Sequence, residues 1–233
     1  MVRDGAGWRM FYTGIDHAEQ GRVQRIGAAV SDDLMAWTRV SAQPVLAADP
    51  RWYATAASAT EEFWRDPWVF TDPGGDGWHL LATARAVGVA PEDGGVLAHA
   101  TSPDLRTWTV RPPLSRPGAG FGQLEVPQVE VVDGRPVLLF DCMTAELAPE
   151  RRAAGETGGI WALDLDDTVG PYDVGRAHLL HDESRYVGKL VRRRDGDWCL
   201  LAFRNVTPDG FGGEIADPVP VCWGPDGLLV VAP

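Results

Sequence analysis

Two short stretches hold the residues best placed for chemistry. The first is FWRDPWVF (Phe63 to Phe70), where the charged pair Arg65-Asp66 interrupts a run otherwise built for a core. The second is GQLEVPQV (Gly122 to Val129), where Glu125 stands alone between Leu124, Val126 and Pro127. Charge in an apolar run is costly unless it is paired or put to use. Two readings follow from the residues alone. Arg65 and Asp66 pair in water at the rim of a sheet, or the start of that strand lines a polar cleft while the rest of it packs.

The other chemistry-bearing residues point to fewer possibilities. His17, His79, His99, His178 and His181 show no zinc-type spacing, and His178 and His181 read as loop residues, so no metal is expected. Cys142, Cys199 and Cys222 form no C-x-x-C pair; an odd, sparse set reads as reduced core thiols. A net charge of −12 argues against nucleic acid or an anionic membrane as partner. No run of about 18 apolar residues is present to span a bilayer. The start, MVRDGAGWRM, has no signal-peptide pattern, which reads as cytoplasmic.

The elements that must position these residues are short strands. Ten Trp against 27 Gly and 18 Pro favours strands, tight turns and aromatic packing over long helices. WRMFYTG (Trp8 to Gly14), IGAAVS (Ile26 to Ser31) and WTRV (Trp37 to Val40) form one triplet. WHLLATAR (Trp78 to Arg85), GVLAHATS (Gly95 to Ser102) and WTVRP (Trp108 to Pro112) form a second. Both carry the frame A-x-S-x-D-L-x-x-W-T, which sets Trp37 and Trp108 71 residues apart (108 − 37). Self-similarity of this kind marks a repeat architecture, and a four-stranded unit with a recurring outer Trp suggests a β-propeller blade. The repeat itself reads as structural, with Asp closing a turn and Trp packing between blades.

Two further units enter D-G turns and return as apolar strands, a hairpin pattern. They are VPQVEVVDGRPVLLFDCM with GGIWALDLDD, and YVGKLVRRRDGDWCLLAF with EIADPVPVCW. The expected fold is all-β, of propeller type. Residues 1–45 give the outer strands of one blade without its innermost strand, and 61–114, 120–182 and 184–233 give three more blades.

These residues resemble the five-bladed β-propeller glycosidases, the clan of glycoside hydrolase families 32, 43 and 68, and most closely its fructan- and sucrose-acting branch. FYTG followed by SDDLMAW resembles the end of the second blade, WRDPWVF the R-D-P motif opening the third, and LEVPQVEV the E-x-P motif opening the fourth. RYVGKLVRRRDGDWCLLAF with GGEIADPVPV resembles the fifth. The resemblance implies that Asp66 stabilises the transition state, that Arg65 helps hold the sugar and that Glu125 is the general acid/base. Tyr186 opens the matching strand of the next blade and is expected either to line the same cleft or simply to pack. Trp64 or Trp68 could supply a sugar-stacking face, although core packing suits most of the tryptophans better.

The family's nucleophile is an aspartate in the innermost strand of the first blade, and nothing here matches it. Asp4 sits in a D-G hairpin turn, and Asp16 follows FYTG on the wrong strand.

Retaining glycoside hydrolysis needs two carboxyl groups about 5–5.5 Å apart and an electrostatic answer to an oxocarbenium-like transition state. Arg65 suits holding Asp66 ionised, and apolar neighbours suit a protonated Glu125. The expectation is therefore a β-fructofuranosidase-like hydrolase of sucrose or fructan, without cofactor, and inactive alone for want of the nucleophile. The alternatives are an arabinofuranosidase or xylosidase of the same clan, or a non-catalytic carbohydrate-binding propeller. The partner would be a small carbohydrate, with self-association through open blade edges. A start site placed too far downstream would explain the missing blade and leave secretion open.

Overall fold

The computed structural model describes residues 1–75 and 77–232. It holds four antiparallel four-stranded sheets in a propeller-like arrangement. The first contains β1 (Val2–Asp4), β2 (Gly7–Ile15), β3 (Gln24–Ser31) and β4 (Thr38–Arg39). The second contains β5 (Arg65–Thr71), β6 (Trp78–Arg85), β7 (Gly95–Ser102) and β8 (Thr109–Arg111). β9 (Glu125–Val132), β10 (Arg135–Cys142), β11 (Gly159–Asp164) and β12 (His178–Asp182) make the third. The fourth joins β13 (Arg185–Arg192) and β14 (Trp198–Arg204) to β17 (Val219–Trp223) and β18 (Leu229–Val231). A small hairpin of β15 (Val206–Thr207) and β16 (Gly210–Phe211) is inserted between β14 and β17.

Three sequence expectations need correction. The first sheet does have an innermost strand, because Val2–Asp4 pairs with Trp8 and Arg9 of β2 before the expected turn at Asp4-Gly5. His178 and His181 lie on β12 rather than in a loop, and His178 Nε2 is 2.8 Å from the Leu229 carbonyl of the last sheet. Cys142 and Cys199 are buried free thiols, but Cys222 is exposed.

Successive strand residues face opposite sides of a sheet, so the middle sheets feed two cores at once. On β6, Leu80 packs with Phe11 and Ile26 of the first sheet, while its neighbour Leu81 packs with Phe140 and Trp161 of the third. On β10, Leu138 joins that second core, and Leu139 packs with Leu190 and Leu200 of the fourth sheet.

The repeated S-x-D-L-x-x-W frame is a turn with a tryptophan stop. Asp104 Oδ1 accepts from the Arg106 and Thr107 amides at 2.8 and 2.7 Å, and Asp33 does the same for Met35 and Ala36. Leu34 and Leu105 both take left-handed backbone in it. Trp108 then packs edge-on against Phe11 at 5.3 Å, between the first two sheets. Trp37 has the same turn but joins none of the three cores.

The long connection from the first sheet to the second is pinned by Tyr53. Its fully buried hydroxyl donates to the Arg111 carbonyl at 2.6 Å and accepts the His99 amide at 3.1 Å. Tyr53→Phe leaves both backbone groups without that partner. We expect a loss of about 1–2 kcal/mol in urea unfolding, and an unchanged midpoint would refute the assignment.

Candidate active site

The innermost strands of the second, third and fourth sheets begin alike. Each pairs its first residues with the next strand and then slips register: Arg65 opposite Thr83, Glu125 opposite Asp141, Tyr186 opposite Phe203. At each slip one non-glycine residue has positive φ, namely Asp66 (57°), Val126 (48°) and Val187 (56°). Such bulges bend a strand and re-aim a side chain. A β-branched residue in this region is a genuine outlier, and strained backbone of this kind costs on the order of 1–3 kcal/mol. Three repeats of it at strand starts bring Arg65, Glu125 and Tyr186 together from three sheets.

Arg65 is the centre of the cluster. Its guanidinium donates to Glu125 Oε1, Gln123 Oε1 and, at 3.2 Å, Gln24 Oε1, while Nε lies 3.2 Å from Asp66 Oδ2. Its guanidinium carbon lies over the Phe63 ring, 4.7 Å from the ring centre. The Arg65, Asp66 and Glu125 side chains are 13, 23 and 17 % exposed, so this is not a pair in open water at a rim. The interrupted run FWRDPWVF follows from that placement. Its charged residues bond to polar side chains of the neighbouring strands, while Val69 and its neighbours pack between sheets.

Asp66 is fixed from all sides. Its Oδ2 accepts Thr83 Oγ1 at 3.0 Å and the Val126 amide at 3.3 Å, and its own amide donates to Thr13 Oγ1 of the first sheet. It therefore reaches the backbone just after Glu125, and the two carboxylates share one arginine. The Glu125 side chain turns away from its apolar sequence neighbours. Its second oxygen accepts the hydroxyl of Tyr186. Tyr186 also packs edge-on against Phe203 at 6.4 Å. Burial, reinforced by the Glu125 charge, holds this phenol well above its ordinary pKa, so it acts as a donor.

Trp64 is fully buried in the first core, which rules it out as a sugar-stacking face. Trp68 is half-buried, and its indole donates to the Val129 carbonyl at 3.2 Å while its ring faces Lys189 Nζ at 5.1 Å. Asp4 is engaged by Arg9 and Arg106, and Asp16 caps a turn by accepting the Ala18 amide, so neither stands with Asp66 and Glu125.

Sequence reasoning missed Gln24, Gln123, Thr83 and Lys189. Lys189 reaches under the bulge to the carbonyls of Val126 and Pro127 at 2.9 and 3.2 Å, and burial lowers its pKa to about 8. Its spacing from Tyr186, three residues on across a slip, carries no motif that would have flagged it.

A family model described as the glycosyl hydrolases family 32 N-terminal domain matches residues 1–167. The chain belongs to this family. Solved structures agree on the fold of this family 32 chain. An inulosucrase from Halalkalicoccus jeotgali bound to kestose superposes with a TM-score of 0.70 at 22% identity, over 94% of this chain and 65% of that one. A Bombyx mori family 32 β-fructofuranosidase, a mutant in complex with sucrose, gives 0.71 at 19% identity over 100% and 49%. Bacillus subtilis levansucrase gives 0.72 at 13% identity over 97% and 65%. The chain thus spans about half to two thirds of the length of these structures. Comparison with curated proteins returned no match.

Proposed function

We propose that this family 32 chain carries the sugar-binding and proton-donating part of a β-fructofuranosidase-like glycoside hydrolase acting on sucrose or a fructan. The observation that supports it is the Arg65 cluster, which gathers Asp66, Glu125 and Tyr186 from three bulged strand starts. In this reading Asp66 accepts sugar hydroxyls and opposes the positive charge that develops at the anomeric carbon. Arg65 holds Asp66 in place, Glu125 protonates the leaving oxygen, and the Tyr186 hydroxyl orients Glu125. The sucrose- and kestose-bound relatives favour fructosyl ligands over arabinosyl or xylosyl ones.

Retention also needs a nucleophilic carboxylate, and neither Asp4 nor Asp16 is placed to act as one. We therefore expect this chain to bind without turning over. Calorimetric titration with kestose should show binding that Asp66→Asn weakens about tenfold or more, since a charged hydrogen-bond acceptor is lost. Release of fructose from sucrose should stay at background. Robust cleavage would overturn the second half of the proposal, and binding indifferent to Asp66→Asn would overturn the first.

Two lesser proposals go with it. The free thiols suit a reducing compartment such as the cytoplasm. Exposed Phe211 and Ile215, on and beside the inserted hairpin, favour self-association, and a sharp monomer in sedimentation would count against that.

A further inference from the structure

Behind Glu125 lies a second carboxyl group that the chemistry above does not use. Asp141 is the residue of β10 directly opposite Glu125, and it is completely buried. The corresponding position is Thr83 in the second sheet, where it holds Asp66, and Phe203 in the fourth, where it packs on Tyr186. This is the place from which each sheet supports its site residue. One oxygen of Asp141 accepts the Gly188 amide at 3.3 Å, and among the described residues the other has no hydrogen-bond partner.

The groups facing Asp141 are Glu125 from β9 and the Val187 backbone, Lys189 and Tyr186 from β13. Lys189 is spent on the Val126 and Pro127 carbonyls, and among the described residues Asp141 has no ion-pair partner. An ionised carboxylate buried in that state is prohibitive.

We propose that Asp141 is the positioning residue of Glu125, an uncharged acid that ties the β13 bulge to β10 and so fixes the Tyr186 hydroxyl on Glu125. The chain of contacts is continuous. Asp141 holds the Gly188 amide, and Gly188 follows the left-handed Val187. That bulge aims Tyr186, and Tyr186 donates to Glu125. Gly188 runs so close to the third sheet that a Cβ there would stand 2.7 Å from Ile160, so the bulge has room for glycine at this point. Burial, against the opposing pull of the Gly188 amide and Lys189, holds the Asp141 carboxyl well above the usual carboxylate range. An uncharged acid also adds no negative charge beside a group that must give up and retake a proton.

This inference rests on the role given to Glu125, but its test needs no sugar, so failure of substrate binding leaves it standing or falling on its own. Carbon-13 NMR of carboxyl-labelled protein follows each acid through pH, with Asp141 and Glu125 assigned by loss of their signals in Asp141→Asn and Glu125→Gln. In the native chain the Asp141 signal should keep its protonated position well above the usual carboxylate range. Asp141→Asn keeps an uncharged acceptor for Gly188, so the Glu125 midpoint should stay within about 0.3 of a pH unit. Asp141→Thr copies the residue of the second sheet but is too short to reach Gly188. In that variant the Glu125 midpoint should move by about one unit or more as Tyr186 is released. A shift of about one unit in Asp141→Asn would mean that Asp141 carries charge, and would overturn the proposal even if the threonine variant failed to fold. An unmoved midpoint in a folded threonine variant would overturn it equally.

Discussion

Arg65→Met should cost about 2–4 kcal/mol of stability at pH 7. The guanidinium is the shared counter-charge of Asp66 and Glu125, and it also binds two glutamine side chains. Taking away one member of a buried ion pair costs more than the pair itself is worth, because an uncompensated charge stays behind; values of about 3–5 kcal/mol are typical. Here two carboxylates are left facing each other, which adds repulsion. Their exposure of 23 and 17 % lets water repay part of it, hence the lower range. The sign with pH is fixed by the same logic. Protonated carboxyls need no counter-charge, so the penalty should shrink as the solution is made acidic. Adding Glu125→Gln to Arg65→Met should likewise recover part of the loss, and the double-mutant cycle measures that coupling. Urea unfolding at neutral and acid pH decides it. A penalty below about 0.5 kcal/mol, or one indifferent to pH, would place the arginine in water after all.

That expectation depends on a site only half of which could be seen in the sequence. Strand periodicity, the D-G turns and the S-x-D-L-x-x-W repeat are local, and local patterns survive in one dimension. Asp133 and Gly134 take the two left-handed conformations, 50° and 84°, that a two-residue hairpin demands, and any D-G between apolar runs suggests as much. Arg65, Asp66 and Glu125 were visible because charge in an apolar run is conspicuous.

The bulges were not visible. Nothing local predicts left-handed backbone at Val126 or Val187, since β-branched residues disfavour it; only the pull of neighbouring sheets imposes it. Asp141 hides in PVLLFDCM for a related reason. Its meaning comes from Gly188 and Glu125, which lie 47 and 16 residues away (188 − 141 and 141 − 125). The two repeated tryptophans make the same point. Identical turns hold Trp37 and Trp108, yet only Trp108 meets a packed partner, because only its sheet has a described neighbour on that side.

Acidification from pH 6.5 toward about 4 should destabilise the native chain by roughly 3 kcal/mol more than it does a His99→Gln variant. His99 sits on β7, 7 % exposed, with its Nε2 2.8 Å from His79 Nδ1 and the two rings stacked 9° from parallel. The other nitrogen of His79 is 2.8 Å from Asp72 Oδ2, so the carboxylate serves His79 and not His99. From β8, Arg111 faces His99 and opposes any positive charge on it. Burial first, then His79 and Arg111, lower the His99 pKa to about 4 from an ordinary 6.5. Between those two values the unfolded chain binds a proton at His99 that the folded chain refuses. Stability is therefore fully present above about 6.5 and drains away as pH falls toward 4. Glutamine cannot titrate, so its stability curve should be flatter by up to one proton over that window. Asp72 and the other carboxylates contribute to both curves and cancel in the difference. Parallel slopes for the two proteins would show that His99 takes up its proton inside the fold, and the stacked pair would then have to be a charge-sharing pair rather than a neutral core contact.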